Sequence, residues 1–321
     1  MPPICATMNR RSSLSVLAAT GIAAGIALPR AAWAADPTEL QLGTMPTDGS
    51  AQPFYGLDKN FYKDAGFDVK LDIMNNTASL ASAVAGGALE IGFGSVVPLA
   101  QAHLRGLNFQ VIAPATIYNG TTPVNVIMVA KNSPIKTGAD LNNQIVAVNG
   151  LRDLTQYEMQ AWIDRNGGDI KTVKLVETPF SEMAVAVQTG RVAAAILAEP
   201  FWTAALDTCK VIGNGSEAVG KHYMVTGWFA TTDWLAKNAV EAKRLQTVML
   251  QIAKWANANH AESQTILPKY TKITADVAAH LVRPVIGDMK PYPALIQPVI
   301  DVAVKYGGMQ SVAAADLIWT G

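Results

Sequence analysis

The apolar positions of this 321-residue chain fall in short runs bounded by glycine, proline and acidic residues, with longer stretches between them whose apolar residues recur at helical spacing. Short bounded runs read as buried strands and the longer amphipathic stretches as helices. On that rule strands are predicted at 39–43, 68–73, 89–94, 109–113 and 124–130. A second set is predicted at 144–148, 173–176 and 192–198. Helices are predicted at 50–65, 77–86, 153–166 and 181–189, with Thr77 as a candidate cap. From residue 233 the chain reads as mainly helical, through 239–261 and 292–306. Such alternation points to an α/β protein whose sheets are mixed and mostly parallel.

A weak internal repeat suggests two related lobes. Residues 83–93 parallel residues 186–196: each reads as a helix end, a glycine cap (Gly87, Gly190) and a buried strand. Half of the residues are hydrophobic and only 16% are charged, which excludes a disordered chain. The length exceeds what one small core takes, so two lobes are the default. Lys+Arg and Asp+Glu both number 25, so no basic excess points to nucleic acid. Two cysteines are too few for a disulfide framework or a thiolate metal site.

The first 35 residues read as an export signal. Arg10 and Arg11 precede a mildly apolar stretch at 12–28, and Ala32-Trp33-Ala34-Ala35 offers a small-residue cleavage site. The stretch is short and weakly apolar for a membrane span. Asn9-Arg10-Arg11-Ser12-Ser13-Leu14 is similar to a twin-arginine signal, and an ordinary secretory signal remains the alternative. Cleavage near Ala34 would remove Cys5, Arg10, Arg11 and Arg30, leaving a mature chain with three more acidic than basic residues. Cys209 would remain alone, as a buried structural thiol.

Ala51-Gln52-Pro53-Phe54-Tyr55-Gly56-Leu57, Phe61-Tyr62-Lys63-Asp64-Ala65-Gly66-Phe67, Gly94-Ser95 and Asn132-Ser133-Pro134-Ile135 follow one another in the chain. In that order they resemble the periplasmic substrate-binding proteins of ABC importers in the nitrate/sulfonate/taurine group, the NMT1/THI5-like family. Thr178-Pro179-Phe180-Ser181-Glu182-Met183 and Ala198-Glu199-Pro200-Phe201 are the most specific, and Tyr306-Gly307-Gly308 extends the likeness toward the C-terminus. Ala193 departs from the family, which often has Asp there. The resemblance implies a two-lobe clamshell. Residues 36–125 and 230–321 would form lobe one and residues 126–229 lobe two, with crossovers near 124–128 and 226–231. Ligand would lie between the lobes, at strand C-termini and helix N-termini.

Within that frame, residues at strand ends and helix starts are the binding candidates. In the first lobe Thr44, Asp48 and Ser50 follow the first strand, with Asp48 as ligand acceptor or helix cap. Thr77 and Ser79 open a helix, and Ser95 stands at a strand end beside another. Ser95 lacks the Gly-x-Ser-x-Gly setting of a hydrolase nucleophile. Tyr118 and Asn119 would wall the cleft or form a surface turn. In the second lobe Asn149, Arg152 and Thr155 join a strand to a helix. Arg152 is the one cation among the candidates, suited to a carboxylate or sulfonate, or else paired at the surface with Asp153 or Glu158. Glu199 would face the cleft or anchor the helix after it, and Trp228 would stack on ligand or pack at the hinge.

No phosphate loop or dinucleotide fingerprint is present, and the four histidines lack zinc spacing, so no cofactor and no metal are expected. The expected function is capture of a small organic solute, with an anionic head, and its delivery to an ABC permease by a monomeric protein. An enzyme of cofactor biosynthesis on the same fold and a protein presenting ligand to a receptor are the rival readings.

Overall fold

A computed structural model describes residues 37–321, which form one compact unit. The paired arginines and the cleavage site lie outside the described residues. Thirteen strands are present among the described residues: β1 (Thr38–Thr44), β2 (Phe67–Ile73), β3 (Gly92–Gly94), β4 (Phe109–Pro114), β5 (Thr116–Tyr118), β6 (Asn125–Ala130), β7 (Ile145–Val148), β8 (Lys174–Glu177), β9 (Ala194–Ala198), β10 (Cys209–Asn214), β11 (Tyr223–Met224), β12 (Gly227–Thr231) and β13 (Val285–Ile286).

They build two principal sheets. In one, β1 pairs parallel with β2 and is joined to β3 through a bridge between Leu42 and Ile91, while β12 lies antiparallel between β3 and β4. The other has the order β10-β6-β9-β7-β8, with β6 antiparallel to both of its neighbours and β7 parallel to both of its own. Each sheet is therefore parallel except for one reversed strand. The reversed strands, β6 and β12, are the ones by which the chain enters a sheet from the other sheet. A strand entered from the side where its neighbours end must run opposite to them.

The links between the sheets are the segments on which β5 and β11 lie, and these pair antiparallel with each other. β13 adds to the free side of β5, completing a small three-stranded sheet. Residues 124–128 and 226–231, near which crossovers are expected, lie where the links enter β6 and β12 of the principal sheets.

Other boundaries shift for local reasons. The helix expected at 50–65 is a short 3-10 turn, Asp48–Ser50, then two helices, Gln52–Asp58 and Phe61–Asp64. Asn60 interrupts them in the left-handed conformation, which asparagine tolerates better than most residues. Asn76, not Thr77, caps the helix Thr77–Ala85: its side chain accepts the Ser79 N–H at 2.9 Å. The expected helix 239–261 is two, Ala239–Ala258 and His260–Tyr270. The expected strands do not include β5, β10, β11, β12 or β13. The repeat has a common backbone feature: Gly87 (φ 74°) and Gly190 (φ 69°) both adopt the left-handed cap that only glycine takes without strain.

The core is continuous across both sheets, and several ionisable groups are buried in the molecule, Glu158 among them. Glu158, on the helix Leu154–Arg165, is fully buried beneath β6. It accepts from Asn125 Nδ2 at 2.7 Å and lies 3.0 Å from the Tyr223 hydroxyl, which is also 3.0 Å from the Ser216 carbonyl. One hydroxyl proton cannot serve both acceptors. A protonated Glu158 resolves the conflict by donating to Tyr223, which then donates to Ser216. Burial raises the Glu158 pKa to about 7, in accord with that arrangement.

Because the folded pKa lies above the ordinary carboxyl value, the unfolded chain gives up this proton first. Glu158 therefore costs stability as pH rises from about 4.5 through 7. Glu158→Gln, which keeps the neutral donor, should gain on the wild type by on the order of 3 kcal/mol between pH 4.5 and pH 8 in urea titrations. A difference that stays constant over that range would show that Glu158 is ionised throughout.

Candidate functional site

Strands that run toward a common edge deliver their next residues to it, and helices that begin there point N–H groups the same way. Between the two principal sheets this produces a cavity of about 70 Å3. The first sheet contributes Met45, Thr47 and Gly49 after β1, and Phe93 and Ser95 at the end of β3. Thr77 comes from the helix after β2. The second sheet contributes Asn149, Asp153, Leu154 and Thr155 after β7, Phe180 after β8, and Ala198 and Glu199 at β9. Thr116, Pro123, Val124, Asn125, Val225 and Thr226 come from the links between the sheets, and Val282 and Pro284 from the stretch before β13.

Hydrogen bonds from one side of the cavity to the other close it. Ser95 Oγ donates to Asp153 Oδ1, and Asn149 Nδ2 donates to the Asn75 carbonyl at 3.2 Å. Asp48 N–H donates to the Glu199 carbonyl at 3.0 Å, while Val282 N–H donates to Glu199 Oε1 at 2.9 Å. Ser95 occupies the N-cap position of the helix Val96–His103 but does not cap it, because its hydroxyl is turned to Asp153. Gly94 lets Thr77 pack against this strand end: a Cβ there would lie 2.1 Å from Thr77 Cγ2.

Two carboxyls face this cavity. Asp153 caps the helix Leu154–Arg165 by accepting the Leu154 N–H at 2.6 Å. Burial pushes its pKa up, against the opposing donors Ser95, Leu154 N–H and Thr77. Glu199 accepts from Thr203 N–H at 3.2 Å and Thr203 Oγ1 at 2.6 Å, so it anchors the helix Phe201–Ala204 while also lining the cavity. Burial raises its pKa to about 7, the same donors opposing.

Five of the thirteen predicted binding residues line the cavity: Thr77, Ser95, Asn149, Thr155 and Glu199. The other eight lie elsewhere. Thr44 and Ser50 hold the loop after β1, Thr44 Oγ1 donating to the Ser50 carbonyl at 2.9 Å. Ser79 and Asn119 are exposed. Tyr118 is buried, accepting from Asn214 Nδ2 at 3.2 Å. Trp228 is buried behind Phe93, at 5.1 Å between ring centroids, with its indole N–H donating to Gln52 at 2.5 Å.

Arg152 is the principal correction. It is exposed, sits at φ 61°, and its guanidinium donates to the Gly308 carbonyl at 3.1 Å. Asp48 is likewise outside the cavity. It is fully buried, 3.2 Å from Arg283 Nη1, and accepts the Tyr55 hydroxyl at 3.1 Å. Arg283 also donates to Tyr55 Oη at 2.7 Å and Ser263 Oγ at 3.0 Å. This ion pair ties Thr47–Gly49 to Val282–Pro284, two walls of the cavity, and nothing in the sequence pattern signalled Arg283. Asp153 was considered only as a surface partner for Arg152, although an Asp before an amphipathic helix is a cap signal.

Two mixed sheets, each with one reversed strand, linked by a pair of antiparallel segments and enclosing a cavity at their strand ends, define the fold of the periplasmic binding proteins. The model of the NMT1/THI5-like family matches residues 50–263, well over half of the chain, and the chain belongs to that family. A comparison with curated proteins finds no match. Solved structures share the fold. The periplasmic aliphatic sulphonate binding protein SsuA from Escherichia coli superposes with TM-score 0.71 at 19% identity, over 88% of this chain and 92% of that one. The alkanesulfonate-binding protein SsuA from Xanthomonas axonopodis pv. citri, bound to MOPS, gives 0.74 at 16%, over 89% and 100%. The periplasmic nitrate-binding protein NrtA from Synechocystis PCC 6803 gives 0.75 at 13%, over 88% and 84%.

The buried pair offers a direct check on the walls. Arg283→Met should leave the Asp48 charge buried without its partner and cost about 3–5 kcal/mol in urea unfolding. Adding Asp48→Asn should restore part of that loss. A single variant within about 1 kcal/mol of the wild type would mean that Asp48 is already neutral.

Proposed function

We propose that the protein is the solute-binding component of an ABC importer: an exported chain that captures a small solute between two lobes and presents the closed form to a membrane permease. The lobes would be built on the two principal sheets, with the β5 and β11 segments as the flexing links. The observation that carries this reading is the cavity itself. It lies where both sets of strands end, and donors on each side bond to acceptors on the other, as at Ser95–Asp153 and Val282–Glu199. Family membership and the transport proteins among the structural neighbours support the same class.

In this reading the solute completes a set of contacts that the open form lacks, and its affinity for the closed form sets the shift between them. Apolar walls from Met45, Phe93, Leu154 and Phe180 hold its body, while the polar residues at the strand ends orient it. Phe180 is itself braced by Phe201, stacked at 5.8 Å between centroids.

A thermal-shift screen of small amines, sulfonates, carboxylates and vitamin precursors should reveal a stabilising solute. Small-angle scattering with that solute at saturation should then show compaction. An unchanged scattering profile alongside tight binding would contradict capture by closure.

A further inference from the structure

The chemistry of the cavity wall limits what it can hold. Asp153 and Glu199 both face it, and among the described residues no Lys, Arg or His lines it. The two arginines nearest in sequence to its walls are engaged elsewhere: Arg152 with Gly308, and Arg283 with Asp48, Tyr55 and Ser263.

The neutral wall residues show the same bias. Asn125 directs its NH2 to the Glu158 carboxyl and Asn149 directs its NH2 to the Asn75 carbonyl. Both partners are acceptors, so the orientation of each amide is fixed. Their Oδ1 atoms accept no hydrogen bond among the described residues. Three of the hydroxyl protons are also turned into the protein. Ser95 donates to Asp153, Thr116 to the Gly49 carbonyl at 2.9 Å, and Thr47 to Ser50 Oγ at 2.9 Å. The carboxyls and amides of the wall thus present oxygen lone pairs, while the hydroxyls of Thr155 and Thr226, which accept from Gly150 N–H at 3.4 Å and Thr116 N–H at 3.3 Å, keep a proton to donate.

We infer that the cavity takes a compact solute bearing a protonated amine or another N–H donor group, with an apolar remainder, rather than a simple anion. This inference rests on the solute-binding reading above. A sulfonate or carboxylate head would meet two carboxyls and two outward amide oxygens with no compensating cation. An ammonium group would meet acceptors on several sides, and charge-assisted bonds of this type are the strong ones. The anionic head expected from the sequence rested on helix N-termini and on Arg152, and the fold places Arg152 outside.

The test uses four probes of one chain length: pentylamine, 1-pentanol, pentanoate and pentane-1-sulfonate, titrated calorimetrically into the protein at pH 8. Pentylamine should bind at least about tenfold more tightly than 1-pentanol, and the two anions more weakly than either. Glu199→Gln and Asp153→Asn should each cut the preference for pentylamine over 1-pentanol by about tenfold, with 1-pentanol affinity as the control for a correctly folded cavity. Tighter binding of either anion, an unchanged preference in both variants, or no binding of pentylamine would overturn the inference. Scattering on the same samples separates the two claims. An anion that binds and compacts the protein removes the amine assignment and leaves solute capture standing. A probe that binds without compaction removes capture by closure.

Discussion

Asp153 is the point on which both halves of the molecule meet. Its carboxyl is buried, caps the helix that leaves β7, and receives the hydroxyl of Ser95 from the opposite sheet. A buried carboxyl without such partners would cost several kcal/mol, so its position requires both the helix end and the other sheet. The requirement runs the other way as well. Ser95 gives up capping its own helix to reach Asp153, and only the absence of a side chain at Gly94 lets Thr77 pack close enough.

Glu199 plays a similar part at the opposite wall. It anchors a short helix of its own sheet through Thr203 and takes the Val282 N–H from across the cavity. Its backbone carbonyl takes the Asp48 N–H. Behind that contact, Arg283 holds Asp48, Tyr55 and Ser263, which ties the loop after β1 to the segment before β13. Buried charge here shapes the cavity from outside it. Two carboxyls touch the cavity, while Arg283 is shielded behind the wall and Arg152 turns away to Gly308.

Much of this was legible in the sequence because it follows from local rules. Strand ends and helix starts can be read from apolar runs and capping residues, and those rules located Thr77, Ser95, Asn149, Thr155 and Glu199. The rules do not say which way a side chain turns. Arg152 stands at the right junction, yet its backbone is left-handed and its guanidinium goes to Gly308. Trp228 is aromatic and near a link, but it lies within β12, where Gln52 satisfies its indole. Residues such as Thr116, Asn125, Thr226 and Val282 reach the cavity through pairing between segments far apart in the chain, as in β5 with β11 and β13. Pairings of that range leave no periodic trace. β10 and β12 were missed for a related reason: β10 is only partly buried, and β12 is set by its two neighbours more than by its own pattern.

The central claim is that a solute sits between the two sheets and is held from both. A crystal structure of the protein with the solute that raises its melting midpoint most would test this directly. The account predicts solute density within hydrogen-bond distance of Asp153 or Asn149 on one side, and of residues from the first sheet or the link, such as Thr47 or Thr116, on the other. Density on an outer face, with the space between Ser95, Asn149 and Glu199 filled only by water, would contradict it.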